Sequence, residues 1–229
     1  MVSGAILSDI KLAAELSPRT QRAIAEKAVQ VDYMPGIELY QQGDPPSPLH
    51  MLLTGRVKLY RQSRDRCQIL ALPANGDSIG AESLPTGGTS PYAATTLTQV
   101  RALVISTVDL QVLLDELPDF QEAFLRLITE RLKQFVTLVH DLAFRDVTSR
   151  LAMVLVARAE VEGRPQDGGV LFDRLLSQQE YADVVGTARE VVYRTFKRFE
   201  DDGLVSMTRR HILIRDLDTL RLIGQQESR

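Results

Sequence analysis

The chain has 229 residues, 44% of them hydrophobic and 25% charged, enough to bury the cores of two modest domains. One cysteine, Cys67, excludes an internal disulfide, a cysteine-held cluster and a cysteine zinc site, and agrees with a reducing compartment. The longest apolar runs, such as residues 151–157, are too short to span a bilayer, and the opening MVSGAILSDIKLAAEL has no basic start leading into an apolar core, so a cytoplasmic protein with no membrane partner is expected.

Residues 5–30 read as short helices, with Ser17-Pro18 as a helix start and Leu16, Ile24 and Ala28 as apolar contacts. From Val31 the period changes. Short alternating or β-branched runs at 37–40, 51–53, 57–60, 68–72, 93–97 and 100–105 are separated by Gly43-Asp44, Gly55, Asn75-Gly76 and Gly87-Gly88. Regular short strands with glycine turns imply an antiparallel roll or barrel.

A long helix is predicted from about 120 to 142. Phe124, Ile128, Leu132, Phe135, Val139 and Leu142 fall at steps of four, four, three, four and three, the spacing of a coiled-coil seam, while Leu125, Leu127, Val136 and Leu138 form a second stripe. Two apolar stripes need two partners. One is the preceding roll; the other is most economically the same helix of a second subunit, which makes a symmetric homodimer.

The segment 176–199 reads as two short helices and a turn. Ser177 with Glu180 and Thr187 with Glu190 form two capping boxes ten residues apart, and Gly186 lies between them. Ala182 and Val185 face inward from the first helix, Val192, Phe196 and Phe199 from the second. Arg189, Glu190, Tyr193, Arg194 and Lys197 share the outer face. Such residues suit a DNA major groove: Arg forks onto guanine, Glu accepts from the cytosine amine, and Tyr and Lys reach phosphates. A solvated amphipathic helix has the same periodicity, and the helix-turn-helix spacing of Ala182, Gly186 and Val192 separates the two readings.

The overall charge of −3 argues weakly against nucleic acid, but it is unevenly placed. Residues 147–229 carry 13 Lys+Arg and 13 Asp+Glu, leaving 14 and 17 of the chain's 27 and 30 upstream. Arg189, Arg194, Lys197 and Arg198 form a local basic cluster, with Arg209 and Arg210 close behind. Asp201-Asp202-Gly203 ends the second helix, and the runs 204–207 and 211–214 make a hairpin wing whose basic tip, Arg209-Arg210, suits phosphates.

GTAREVVYRTFKRFEDDGLV resembles the recognition segment of the Crp/Fnr family of bacterial transcription regulators, and PGIELYQQGD, LHMLLTGRVKLY and NGDSIG resemble the cyclic-nucleotide-binding β-roll that precedes it there. The resemblance covers nearly the whole chain. It implies an α+β protein: an N-terminal antiparallel β-roll (1–118), a dimerisation helix with its hinge (119–145) and a C-terminal winged helix-turn-helix (146–229). Carried over, the base-reading trio is Arg189, Glu190 and Arg194, and Ser177 and Gln179 touch the DNA backbone. Double-stranded DNA with a TGTGA-like palindrome, a second copy of the chain and RNA polymerase are the implied partners.

The effector pocket departs from the family pattern. Members that bind cAMP use a Gly-Glu pair for the ribose and an Arg followed by Ser or Thr for the phosphate; here the matching stretches are Gly80-Ala81-Glu82 and Thr89-Ser90-Pro91-Tyr92, with no arginine between Arg66 and Arg101. Phe135-Val136 stands where the cAMP-responsive activator has a Thr-Ser pair. The candidate pocket residues are therefore Gly80, Glu82, Tyr92, Phe135 and Val136, and a buried cyclic phosphate would lack its fixed cation. A cAMP-independent regulator is expected, with a cAMP- or other small-molecule-responsive activator as the alternative. The effector itself is not identified by the sequence. No cofactor or metal is expected: His50 and His140 are isolated, and Cys67 reads as a strand cysteine before a redox switch. No P-loop, nucleophile elbow or metal motif marks an enzyme, and a nucleotide-binding regulatory subunit of an enzyme is the remote alternative.

Overall fold

The computed structural model describes residues 7–64, 66–166 and 168–226, which divide into two compact units, the first ending at Phe135 and the second beginning at Val136. The first unit contains helix α1 (Pro18–Lys27), strands β1 (Val29–Tyr33), β2 (Glu38–Tyr40), β3 (Leu49–Thr54), β4 (Val57–Ser63), β5 (Arg66–Ala71), β6 (Ser78–Ile79), β7 (Ala93–Thr96) and β8 (Val100–Ile105), helix α2 (Thr107–Glu116), and most of α3 (Pro118–Phe144). Ser17 Oγ accepts the Thr20 amide, and Pro18 enters the first turn, where an amide hydrogen has no intrahelical partner to lose. The Ala28 amide closes α1 on Ile24 and Val29 at once pairs with Val104, so the strand starts two residues before the change of period at Val31.

Two four-stranded antiparallel sheets make the roll, ordered β1-β8-β3-β6 and β2-β7-β4-β5. The two-residue β6, paired through His50↔Ile79 and Met51↔Ser78, is too short to show as a sequence period. Successive strand side chains point to opposite faces, so β3 and β8 serve two cores. Leu52 and Ala102 pack with Tyr40, Leu59, Tyr92 and Ala94 between the sheets, while Met51, Leu103 and Ile105 point the other way onto Ile24, Leu110, Leu113, Phe120 and Phe124.

Helix α3 corrects the expected seam. Phe124 is buried in the roll's own core, Ile128 and Leu127 pack against it, and Phe135 reaches the inter-sheet cluster. Together with buried Arg131 these residues follow steps of four, three and four, so the face assigned to a second subunit is in large part the face that covers the roll. Leu125, Leu132, Val136 and Val139 lie instead on a neighbouring exposed stripe, each more than 60% accessible, and Leu142 is half-buried. The sequence period was correct, but a one-residue offset, about 100° around the helix, separates the two faces.

The second unit holds the end of α3, then α4 (Val147–Glu162), β9 (Arg164–Gln166), β10 (Gly169–Asp173), α5 (Gln178–Val185), α6 (Arg189–Asp201), β11 (Val205–Met207), β12 (His211–Ile214) and α7 (Leu217–Gly224). Its sheet runs β11-β12-β10-β9. The hairpin β9–β10 was not anticipated: Pro165 and the Gly168-Gly169 pair interrupt any alternation, and register comes from pairing with the wing strand β12, Phe172 facing Ile212. Leu151, Leu155, Phe172, Tyr181, Phe196, Phe199, Ile212 and Leu220 form the buried interior of the helices and sheet.

Candidate nucleic-acid interface and effector pocket

Helices α5 and α6 form the expected pair. The Ser177–Glu180 capping box is present in full, Oγ accepting the Glu180 amide while the Glu180 carboxylate accepts from the Ser177 amide and hydroxyl. Gly186 ends α5 at φ 68°, a left-handed turn that a side chain would strain. The second capping box is absent. The Thr187 amide is spent on Ala182 O, closing α5, and α6 starts at Arg189 with Ala188 as an N-cap that makes no side-chain hydrogen bond. Glu190 falls at the second helical position, too early to reach back, and stays exposed.

Behind α6, Val192, Phe196 and Phe199 are fully buried, and Phe196 stands edge-on to Tyr181 at 5.2 Å between centroids. Arg158 braces the same packing from α4: it donates to Tyr181 Oη at 3.1 Å and to Asp173 O at 2.9 Å, and its guanidinium lies 5.0 Å from the Phe172 ring centre. Burial raises the Tyr181 pKa, with Arg158 opposing, so the phenol is kept neutral within the core.

In front, Arg189, Glu190, Tyr193, Arg194, Lys197 and Arg198 are all exposed on α6. Lys197 pairs with Asp201 at 3.1 Å. Ser177 and Gln179 are exposed at the start of α5, the Gln179 amide donating to Asp183 at 2.8 Å. Arg209 and Arg210 occupy the tip between β11 and β12, where Thr208 Oγ1 accepts the Arg210 and His211 amides, and Glu200 holds the wing to α6 by accepting the Met207 amide at 3.1 Å. The arrangement offers cationic forks, one carboxylate and a phenol on a rigid helix, with a second cationic point on the wing.

In the roll, Gly80 has φ 85°, and a Cβ there would meet Pro48 O at 2.3 Å, so this glycine serves the turn. Tyr92 is almost completely buried. Its hydroxyl donates to Glu82 Oε1, and its ring meets Phe135 edge-on at 5.8 Å and Tyr40 at 6.3 Å. Burial, and then the Glu82 carboxylate, push the Tyr92 pKa well above the usual phenol range. Val136, the first residue of the second unit, is exposed on the neighbouring stripe of α3. Sequence reasoning missed Arg131. It is 8% exposed, donates to Ser78 O at 3.2 Å and Gln134 Oε1 at 2.9 Å, and its charge acts on both Tyr40 and Tyr92. The signal was its place at a core-facing helical step between Ile128 and Phe135. Arg131 and Ser78 also line a groove of about 760 Å³ with Leu16, Leu72, Leu127 and Gln134.

Among the described residues no group of three or more His, Cys, Asp or Glu is placed to hold a metal, and no helix is long and apolar enough to cross a membrane. Cys67 is half-buried in β5.

Comparison with known proteins gives two family matches: a cyclic nucleotide-binding domain over residues 30–116 and a Crp-like helix-turn-helix domain over 149–223. The global nitrogen regulator of Synechocystis is 30% identical over 179 residues, covering 77% of this chain and 80% of the relative. A CRP-like cAMP-activated global transcriptional regulator of Mycobacterium tuberculosis is 29% identical over 206 residues, 90% of this chain and 92% of that one. The structure of the c-di-GMP responsive global regulator CLP of Xanthomonas campestris superposes with a TM-score of 0.76 at 24% identity, covering 87% of this chain and 100% of that one.

Proposed function

This chain belongs to the Crp/Fnr family of bacterial transcription regulators, and on that premise we propose that it acts as a homodimer that reads a palindrome with TGTGA-like half-sites and does so without cAMP. It is a DNA-binding transcription regulator and not an enzyme. The observation that carries the reading is the joint exposure of Arg189, Glu190 and Arg194 on a helix whose back, Val192, Phe196 and Phe199, is locked in the core. In this reading the two arginines fork onto guanines and Glu190 accepts from a cytosine amine. Tyr193, Lys197, Arg198, Ser177, Gln179, Arg209 and Arg210 hold phosphates, which fixes register without reading sequence.

Residues 1–118 are assigned to the sensor roll, 119–145 to the dimerisation helix and hinge, and 146–229 to DNA binding. The exposed stripe of Leu125, Leu132, Val136 and Val139 supports the homodimer, because the roll already occupies the adjacent face and a second copy would cover this one. A dimer so formed sets two copies of α6 about 34 Å apart, one turn of DNA. Regulation then proceeds through RNA polymerase. Selection from random duplex DNA with the full-length protein tests the reading: a palindrome of guanine-containing half-sites is expected, and a pool without twofold symmetry overturns it.

Independence from cAMP is supported by Tyr92, which fills the space beside Phe135 and engages Glu82, the carboxylate that matches the family's ribose acceptor. One named relative is cAMP-activated and one structural neighbour is c-di-GMP responsive, so effector chemistry differs among proteins of this fold. A second reading, a small anionic effector, is favoured by Arg131, a buried cation that reaches the groove beside the roll. Titration with cAMP, followed by calorimetry and by DNA affinity, tests the first reading: a response to cAMP overturns it.

A further inference from the structure

Three helix ends in the second unit converge on two arginines. The last carbonyls of a helix have no intrahelical donor, carry its partial negative charge and need partners when covered. Arg145, in the turn after α3, donates from Nε to its neighbour Asp141 at 2.8 Å and from Nη1 to Gly224 O at 2.6 Å, the last carbonyl of α7. Arg150, in the first turn of α4, does something different. Its Nε donates to Val185 O at 2.7 Å, the last carbonyl of α5, while its Nη1 donates to Arg145 O and, at 3.4 Å, to Asp141 O, both at the end of α3. Asp146 fixes the base from which Arg150 projects by accepting the Ser149 amide at 2.7 Å.

We propose that Arg150 is a positioning residue for operator recognition, tying the C-terminal end of α3 to the C-terminal end of α5 one residue before the Gly186 turn that launches α6. A guanidinium suits this because its donors diverge within one rigid plane, so the two carbonyl sets are held at a fixed separation and angle. An amine on a flexible stem offers no such fork. The side-chain hydrogen bonds of Arg150 among the described residues go to Val185, Asp141 and Arg145, none of them a residue assigned to DNA. Its effect is to pass the direction of α3 into α6, and in a dimer joined along α3 this sets the separation of the two recognition helices.

The inference rests on the dimeric, palindrome-reading function proposed above. The test measures affinity of the full-length protein for the selected palindrome, for the same palindrome with its centre lengthened by one and by two base pairs, and for a single half-site. Wild type should lose affinity steeply with each insertion. Arg150→Gln should bind the unmodified palindrome at least tenfold more weakly, keep wild-type affinity for the half-site, and show a flattened dependence on spacing. Arg145→Gln, which leaves the contact with α5 in place, should keep the wild-type dependence. If Arg150→Gln does not fold, Arg150→Lys, which keeps the charge without the fork, goes through the same series with the same flattening expected. A loss equal at every spacing and at the half-site would make Arg150 a general stabiliser and overturn the proposal, as would unchanged binding or an Arg145→Gln profile as flat as that of the Arg150 variant. A wild type indifferent to spacing would instead refute the palindrome-reading dimer, and the inference with it.

Discussion

The hydroxyl of Tyr92 donates to the carboxylate of Glu82 inside the roll, and the Phe135 ring closes over the same phenol from α3. Because burial and the Glu82 charge both raise the Tyr92 pKa, the phenol remains a donor throughout the physiological range. An occupied carboxylate and a filled apolar corner are a poor receptor for a sugar hydroxyl and a cyclic phosphate.

From that pairing, cAMP is expected to leave both melting temperature and DNA affinity unchanged, as read by calorimetry and a fluorescence binding assay. A micromolar dissociation constant, or a tenfold gain in DNA affinity, would overturn this. Tyr92→Ala should destabilise the roll by about 3–5 kcal/mol, the range for truncating a buried aromatic. Tyr92→Phe, which removes only the donor to Glu82, should cost about 1–3 kcal/mol. Equal melting curves for wild type and Tyr92→Ala would refute the packing role.

On DNA, Arg189→Ala and Arg194→Ala should each weaken the specific complex by about 1–3 kcal/mol and relax base preference at one position, because a lost bidentate contact discriminates between bases. Arg209→Ala should weaken specific and non-specific binding alike and lower the salt dependence, the mark of a phosphate contact. Competition binding with and without non-specific duplex distinguishes the two classes. A uniform loss for Arg194→Ala across all sequences would remove it from the base-reading set.

The recognition helix was legible because its signals are local: Val192, Phe196 and Phe199 keep a helical period, and Gly186 marks the turn between their helix and the one before it. The Thr187 box was a false signal of the same local kind, defeated when the Thr187 amide closed the preceding helix. Arg131 was illegible for the opposite reason. A charged residue at a core-facing step reads as a break in the apolar stripe until the roll brings Ser78 O to it. The same holds for β9–β10, whose register depends on β12, with Phe172 pairing Ile212 far along the chain.

Leu132 lies on the open stripe of α3 rather than against the roll. Leu132→Asp should leave the subunit's stability within about 0.5 kcal/mol, as for other exposed substitutions. In a dimer it would place two carboxylates face to face without partners, so the variant should sediment as a monomer and lose operator binding. Wild type that is monomeric at micromolar concentration, or an Asp variant that still dimerises, would show that another surface forms the contact.

His50 supplies a pH dependence whose sign follows from its surroundings. The ring is 3% exposed, lies between Tyr33 and Tyr40 at 5.9 and 6.5 Å, and its Nδ1–H donates to Pro48 O at 3.0 Å. Burial pulls its pKa down from 6.5 to about 4, against a smaller opposing effect of the Pro48 carbonyl. The unfolded chain therefore binds the proton first. The stabilisation is complete above pH 6.5 and is lost as pH falls from 6.5 toward 4, at up to about 1.4 kcal/mol per pH unit. Since Tyr40 also borders Tyr92, loosening should begin around the Tyr40–Tyr92 pair. Urea unfolding of wild type and His50→Asn at several pH values tests this: the Asn amide keeps a donor for Pro48 O but does not titrate, so the slope between pH 6.5 and 4 should flatten in the variant. An equal slope in both proteins would assign the acid sensitivity to other groups.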